Sequence, residues 1–429
     1  MRSILVGLLL MGACSSEPPP MPKRDYPAPA ALPVRPELPD PLTTFDGKKI
    51  STQAEWERER KPELKALFQH YMYGMLPPVT EVSGTVRRTD AAAFGGKATL
   101  KEVSLSIAGP KGPKVDLLLV VPNKRSGPAP VFVGLNFTGN HTLVIDPAVA
   151  LPVSWMRSGG KDEAVVNNRA TEKGRGKNIG TWALEQSVDR GYAVATVYYG
   201  DIFPDKPDFN DGVYPQFHAP KEGQKSPGDT DCGAVAMWAW GIHRIIDYLV
   251  TVPDLDKSRI AVTGHSRLGK TALLAAAFDE RVALAIPHQA GCGGTGPSRS
   301  KNPKAESVKR INTSFPHWFD DHFKKFNDDV DRLPFDQHCL LALCAPRPVL
   351  YTNGVEDQWA NPDGQFEMMK AAAPVYKLYG IDALGSAEPP PLGKLVDTTL
   401  GYLIRTGPHV SDPDYWKTFL DYADRHFRK

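Results

Sequence analysis

Gly264-His265-Ser266-Arg267-Leu268-Gly269-Lys270 places a hydroxyl nucleophile where a chain can lift it clear of its own backbone. Residues 260–262 are apolar and residues 266–278 favour helix, so Ser266 stands at a strand-to-helix turn. Small residues on either side let such a serine take a strained conformation and raise its hydroxyl above the sheet edge. Gly264 and Gly269 supply them, although the second comes one residue later than in the usual G-x-S-x-G elbow. The helix that follows contributes free amide groups and a positive dipole end, which favour negative charge developing on a bound carbonyl oxygen. The chemistry this suits is acyl transfer. Taken alone, the Gly-x-Ser tripeptide fits equally well a turn between a core strand and a core helix.

A serine nucleophile on an α/β sheet needs a base and an orienting acid, in the chain order Ser, acid, His. Of the 11 histidines, only His409 and His426 follow every late acid candidate. His426 falls in the amphipathic last helix, the setting of a surface or capping histidine. His409 sits in the loop Arg405-Thr-Gly-Pro-His-Val-Ser and is taken as the general base. For the acid, Asp357 follows the strand expected at 348–352, with Glu356 as its rival. Neighbouring residues on an extended chain point to opposite sides, so one of the two at most faces the histidine. Asp357 is preferred, because Trp359 would then line the same cleft.

These residues must be held by a scaffold, and strands are expected at 117–121, 131–135, 192–198, 260–263, 282–286 and 348–352. Helical periodicity marks 54–71, 181–190, 232–251, 266–278 and 413–428. Strands alternating with helices predict βαβ units, a largely parallel sheet and ligands at the carboxyl ends of its strands. At 429 residues with 41% hydrophobic content, the chain can bury a sizeable core, and residues 42–429 are read as one catalytic domain. Lys and Arg total 51 against 49 Asp and Glu, a net charge of +2 with no long basic tract, which argues against a nucleic-acid partner.

Residues 1–14 read as an export signal, with Arg2 ahead of an apolar stretch too short to span a bilayer. The sequence LLLMGACSS is similar to a bacterial lipoprotein signal, which would make Cys14 a lipid anchor; cleavage near Ala13 is the alternative. Ten prolines within 15–41 predict an extended, solvated spacer. Cys232, Cys292, Cys339 and Cys344 lack zinc-ligand spacing, and are expected as buried thiols or as structural disulfides.

The elbow sequence Gly-His-Ser-Arg-Leu-Gly-Lys is joined by Gly291-Cys-Gly-Gly, Phe315-Pro-His-Trp-Phe, Leu333-Pro-Phe-Asp-Gln-His, Ala345-Pro-Arg-Pro and Asp357-Gln-Trp. With these motifs in this order, the chain from Thr52 onward resembles the bacterial glucuronoyl esterases of carbohydrate esterase family 15. The resemblance implies an α/β-hydrolase fold, a three-layer sandwich with a mostly parallel central sheet. It also implies cleavage of the ester between (4-O-methyl-)glucuronic acid of xylan and lignin alcohols, with no metal or organic cofactor; the chain is expected to act as a monomer. Carried over residue by residue, Ser266 matches the nucleophile, His409 the base and Arg267 the oxyanion-holding arginine, whose guanidinium gives charge-assisted hydrogen bonds. Lys270, Glu306 and Trp359 match the sugar-contacting positions. Lys270 also lies on the Ser266 face by i, i+4 spacing.

One departure stands out. Many members of that family carry the triad acid just before the Gly-Cys-Gly-Gly turn, where this chain has His288-Gln289-Ala290. Gln289 cannot be a carboxylate, which leaves Asp357 on the later loop. The segment Asn136 to His141 follows an early strand, where a second oxyanion donor is expected. Deacetylation of xylan or general carboxylesterase activity on the same fold is the nearest alternative. A carbohydrate-binding protein with a vestigial triad is the alternative from another class.

Overall fold

The computed structural model of the protein describes residues 24–158 and 163–428. Nine strands build the main sheet: β1 (Val82–Ala92), β2 (Ala98–Ile107), β3 (Lys114–Pro122), β4 (Ala129–Asn136), β5 (Ala193–Tyr198), β6 (Leu255–His265), β7 (Val282–His288), β8 (Val349–Gly354) and β9 (Leu400–Arg405). Their spatial order is β1-β2-β3-β5-β4-β6-β7-β8-β9. The first four in this order pair antiparallel, and every pairing from β5 onward is parallel.

Both faces of the sheet are covered, which is why its central strands read as unbroken apolar runs. Side chains alternate between two buried clusters. Val131, Val133, Ile260 and Val262 point to one, and Phe132 and Ala261 to the other. The first cluster packs under the helices Ala234–Leu249, Arg267–Phe278 and Pro362–Lys377, through residues such as Trp238, Leu273 and Met369. The second packs under Leu184–Asp189 and Pro413–Phe427, through Leu184, Val188, Trp416 and Phe419. The result is three layers around a mostly parallel sheet, as the resemblance implied.

Because β4, β6, β7, β8 and β9 run parallel, their carboxyl ends share one edge of the sheet. Ser266, Gln289, Asp357 and His409 all follow such ends, so four loops distant in sequence meet there.

Some expected elements differ. The helix expected at 181–190 is broken by Ala183, whose left-handed backbone (φ 41°, ψ 48°) separates Ile179–Trp182 from Leu184–Asp189. The strands β1, β2 and β9 and the helix Pro362–Lys377 were not expected; β1 is largely solvent-exposed and so lacks an apolar pattern.

Over its described part the proline-rich stretch is mostly exposed, and it is fastened to the body at several points. Leu32 is buried in the main core, the Pro27 carbonyl accepts from the Tyr71 hydroxyl at 2.7 Å, and the Pro39 carbonyl accepts from His338 Nε2 at 2.7 Å. Proline removes N–H donors but keeps carbonyls, so side-chain donors of the body fasten this strap. The expected signal, Cys14 and residues 15–23 lie outside the described residues. The four other cysteines are buried free thiols rather than disulfides. Among the described residues no helix is long and apolar enough to cross a membrane.

Candidate active site

Ser266 caps the helix Arg267–Phe278 with φ 59° and ψ −124°, a conformation that side chains rarely adopt. The turn is tight enough to require both glycines. A Cβ on Gly264 would lie 2.1 Å from the Leu268 carbonyl oxygen, and one on Gly269 would lie 2.8 Å from that of His288. The second glycine therefore answers to the neighbouring strand β7, while Leu268 between them is core. The Ser266 N–H donates to the His288 carbonyl at 2.9 Å, tying the elbow to the same strand.

Asp357 Oδ2 accepts from His409 Nδ1 at 2.6 Å. Asp357 is buried and its other oxygen accepts from the Ala360 N–H, whereas Glu356 points to solvent. The two loops are laced together: the Val355 N–H donates to the Arg405 carbonyl at 2.8 Å and the Glu356 N–H to that of Gly407 at 3.2 Å. The ring of His409 lies 4.4 Å, centre to centre, from that of His265, the residue before Ser266. A nucleophile position, a histidine and a buried carboxylate thus converge, which is the constellation for acyl transfer through a covalent intermediate.

Strand β7 holds the histidine loop from below. Gln289, buried and in the left-handed region (φ 48°), donates through Nε2 to the Pro408 carbonyl at 3.0 Å. Its Oε1 accepts from the Val410 N–H at 3.0 Å and from His265 Nε2 at 2.9 Å. His288 Nε2 donates to the Val410 carbonyl at 2.9 Å. Both residues flanking His409 are therefore clamped. Burial depresses the His288 pKa to about 4, and burial with the adjacent His288 and His409 rings depresses that of His265 far below its ordinary value.

Beside the elbow are two cations with different partners. The Arg267 guanidinium meets the buried Asp205 carboxylate and lies 4.8 Å from the Trp318 ring centre. Lys270, buried, donates from Nζ to the Ala290 carbonyl and stands 3.9 Å from Glu306 Oε2. Burial lowers the Lys270 pKa and raises that of Glu306, each opposed by the other's charge. The Glu306 N–H donates to the Trp359 carbonyl at 3.0 Å, and the Trp359 side chain, 48% exposed, offers a ring to solvent at this edge.

The model of the family described as "Glucuronyl esterase, fungi" matches residues 226–380. A carbohydrate esterase of an unknown prokaryotic organism is 42% identical over 391 residues, covering 91% of this chain and 89% of that protein. The chain belongs to carbohydrate esterase family 15. A 4-O-methyl-glucuronoyl methylesterase of Schizophyllum commune is 28% identical over 358 residues, or 80% of this chain and 74% of its own. Among solved structures, a family-15 esterase from a marine bacterial metagenome, described as promiscuous, superposes with a TM-score of 0.84 at 42% identity, covering 93% of this chain and 98% of that one. A glucuronoyl esterase from Solibacter usitatus gives 0.83 at 37% identity, covering 93% and 100%. The fold is the α/β-hydrolase fold, and the protein is an esterase.

In this family-15 esterase, Ser266, Arg267, Lys270, Glu306, Asp357, Trp359 and His409 lie along one edge of the sheet. His426 instead packs on Tyr422 within the last helix. Of the segment Asn136 to His141, it is Phe137 that reaches the elbow, edge-on to His265 and 5.7 Å from the Arg267 guanidinium carbon. Sequence reasoning missed Asp205, the clamp by His288 and Gln289, and the part of His317 and Trp318. The last two stand in the Phe-Pro-His-Trp-Phe motif, which marked them without saying why. Asp205 carries no spacing signal at all.

Proposed function

We propose that this esterase cleaves the ester between (4-O-methyl-)glucuronic acid of xylan and lignin alcohols through a glucuronoyl-serine intermediate. Ser266 Oγ attacks the uronoyl carbonyl while His409 takes its proton, and Asp357 holds the ring through Nδ1 and stabilises the imidazolium. The oxyanion that forms is met by Arg267 and by backbone N–H groups at the start of the helix. His409 then gives the proton to the departing alcohol. Water, deprotonated by the same ring, attacks the acyl-enzyme, and Ser266 regains its proton as glucuronate leaves. No step requires a metal or a cofactor from this set of residues.

The observation that carries this reading is the buried Lys270–Glu306 pair with exposed Trp359 one helical turn from the nucleophile. Buried donors and acceptors beside an apolar ring face are what a pyranose with several hydroxyls requires. A simple acetate such as p-nitrophenyl acetate has no hydroxyls to engage them. A second reading, broader carboxylesterase activity, is favoured by the relative described as promiscuous.

Hydrolysis of benzyl glucuronate, acetylated xylan and p-nitrophenyl acetate by wild type and Ser266→Ala separates the two. Preference for the glucuronate ester, abolished by the serine change, is expected. Faster acetyl hydrolysis would replace the sugar-acid reading with a deacetylase, and binding of xylan without turnover would leave a binding protein. We also infer export directed by residues 1–14 with lipid attachment at Cys14. Radiolabelled palmitate incorporation in a bacterial host, lost in Cys14→Ser, is the expected result.

A further inference from the structure

We infer that Asp205 is a positioning residue for the reaction: by fixing the Arg267 guanidinium before substrate arrives, it makes that side chain an organised oxyanion donor. The inference rests on the role proposed for Arg267 above. Asp205 lies just beyond the short helix Tyr199–Ile202 that follows β5, and its side chain has no solvent exposure. Oδ1 accepts from His317 Nε2 at 2.8 Å and from Trp318 Nε1 at 2.8 Å. Oδ2 accepts from Arg267 Nη1 and from the Tyr199 hydroxyl at 3.3 Å. Four donors meet the roughly four lone-pair sites of a carboxylate, so the group is saturated and cannot turn.

The consequence falls on Arg267. Arginine is long and rotamer-rich, and a free guanidinium would have to be ordered during each turnover. Here one end is pinned by a charge-assisted hydrogen bond, and the plane is boxed by Trp318, Phe315 and Phe137 at 4.8, 5.4 and 5.7 Å from its carbon. Phe315 and Trp318 are themselves stacked at 3.8 Å with 5° between their planes, a rigid wall. Arg267 Nε is buried with no partner. Burial by itself would push the Asp205 carboxyl up, but the His317 hydrogen bond and the Arg267 charge overcome it and hold it well below the usual carboxylate range. The counter-charge is therefore present at neutral pH. Asp205 does not touch the reacting atoms; it acts through Arg267.

Asparagine at 205 would keep an oxygen for His317 and Trp318 and turn its NH2 toward Arg267 and Tyr199, donor against donor. The test is benzyl glucuronate kinetics for wild type, Asp205→Asn, Arg267→Ala and the double variant, with and without sub-denaturing guanidinium chloride. Losing one oxyanion donor costs about 10²–10³-fold in kcat, and Asp205→Asn is expected to lose about 10–100-fold with KM nearly unchanged. The double variant should be no slower than Arg267→Ala, and guanidinium should restore Arg267→Ala but not the double. Wild-type turnover by Asp205→Asn beside a slow Arg267→Ala overturns the inference and spares the arginine reading. Losses that multiply in the double variant, or equal rescue in both backgrounds, also overturn it. An active Arg267→Ala overturns the arginine reading itself. Should Asp205→Asn not fold, Trp318→Phe keeps the ring and removes one donor; a several-fold fall in kcat is expected, and unchanged kcat would overturn the inference.

Discussion

Replacing Gln289 by alanine isolates the contribution of the loop clamp, because this side chain touches both neighbours of His409 without sharing the triad's chemistry. Three hydrogen bonds vanish: to the Pro408 carbonyl, from the Val410 N–H and from His265. Pro408 is exposed and Val410 partly so, so water can replace the loop bonds; the His265 side is more enclosed. At about 1 kcal/mol net per hydrogen bond, with more for an enclosed group left unpaired, the folded state should lose about 2–4 kcal/mol. The catalytic loss comes through position. A displacement of about 1 Å at a catalytic group can cost about 10²-fold, and His288 still grips the Val410 carbonyl, so kcat should fall by about 10–100-fold. KM should barely move, since Lys270, Glu306 and Trp359 stay in place. The assay is benzyl glucuronate hydrolysis beside thermal unfolding of the same samples. A lowered melting temperature with wild-type kcat would refute the reasoning, because it would mean that the loop keeps His409 in register without Gln289.

Asp357→Asn should lower kcat by about 10³–10⁴-fold through loss of the ring orientation, while Glu356→Gln stays near wild type; similar losses in both would discredit the choice of acid. Lys270→Ala should raise KM for benzyl glucuronate at least about tenfold, at roughly 1.4 kcal/mol per decade, and leave p-nitrophenyl acetate hydrolysis unchanged, which competition between the two esters would reveal. Glu306→Gln removes the counter-charge of Lys270 and should make free glucuronate a stronger competitive inhibitor, read as a lower inhibition constant. Stability should decline in acid: His288 titrates near 6.5 in the unfolded chain and about 4 when folded, so between those values the unfolded chain binds the extra proton. Its contribution is intact above about pH 6.5 and lost as pH falls toward 4, on the order of 3 kcal/mol, and His288→Asn should flatten the pH dependence of the melting temperature by that amount.

What the sequence disclosed was whatever local chemistry imposes. The elbow had to be glycine-lined because its backbone collides with Leu268 and His288, and that need is written at positions 264 and 269. Chain order singled out His409, and loop position with Trp359 nearby singled out Asp357; the structure brings the two within hydrogen-bond distance because parallel strands deliver their loops to one edge. Strand β9, which carries the His409 loop, went unread because Leu400–Arg405 is short and lies just after a polar loop. That the stretch at 24–41 is fastened to the body went unread, because proline density reports on missing N–H groups and is silent on where the carbonyls go. Asp205 was invisible for a different reason: besides nearby Tyr199, its partners come from 267 and from 317–318, and no pattern in one dimension announces a hub whose partners lie in two distant segments.

The same non-local pairing gives the pocket its electrostatic character. Arg267 is answered by Asp205 and Lys270 by Glu306, so each of these two cations beside Ser266 has a buried acid of its own. A site built to hold a free carboxylate would leave such a cation unanswered, since desolvating an anion demands a counter-charge. The proposed substrate is an ester, whose carboxyl carries no charge, while its product is an anion. Paired cations can hydrogen-bond the neutral ester and, through Arg267, meet a negative charge that exists only during the reaction. The anionic product then finds these two cations already engaged. On this reasoning Glu306 serves turnover as much as recognition, because by answering Lys270 it keeps the pocket from becoming a trap for glucuronate.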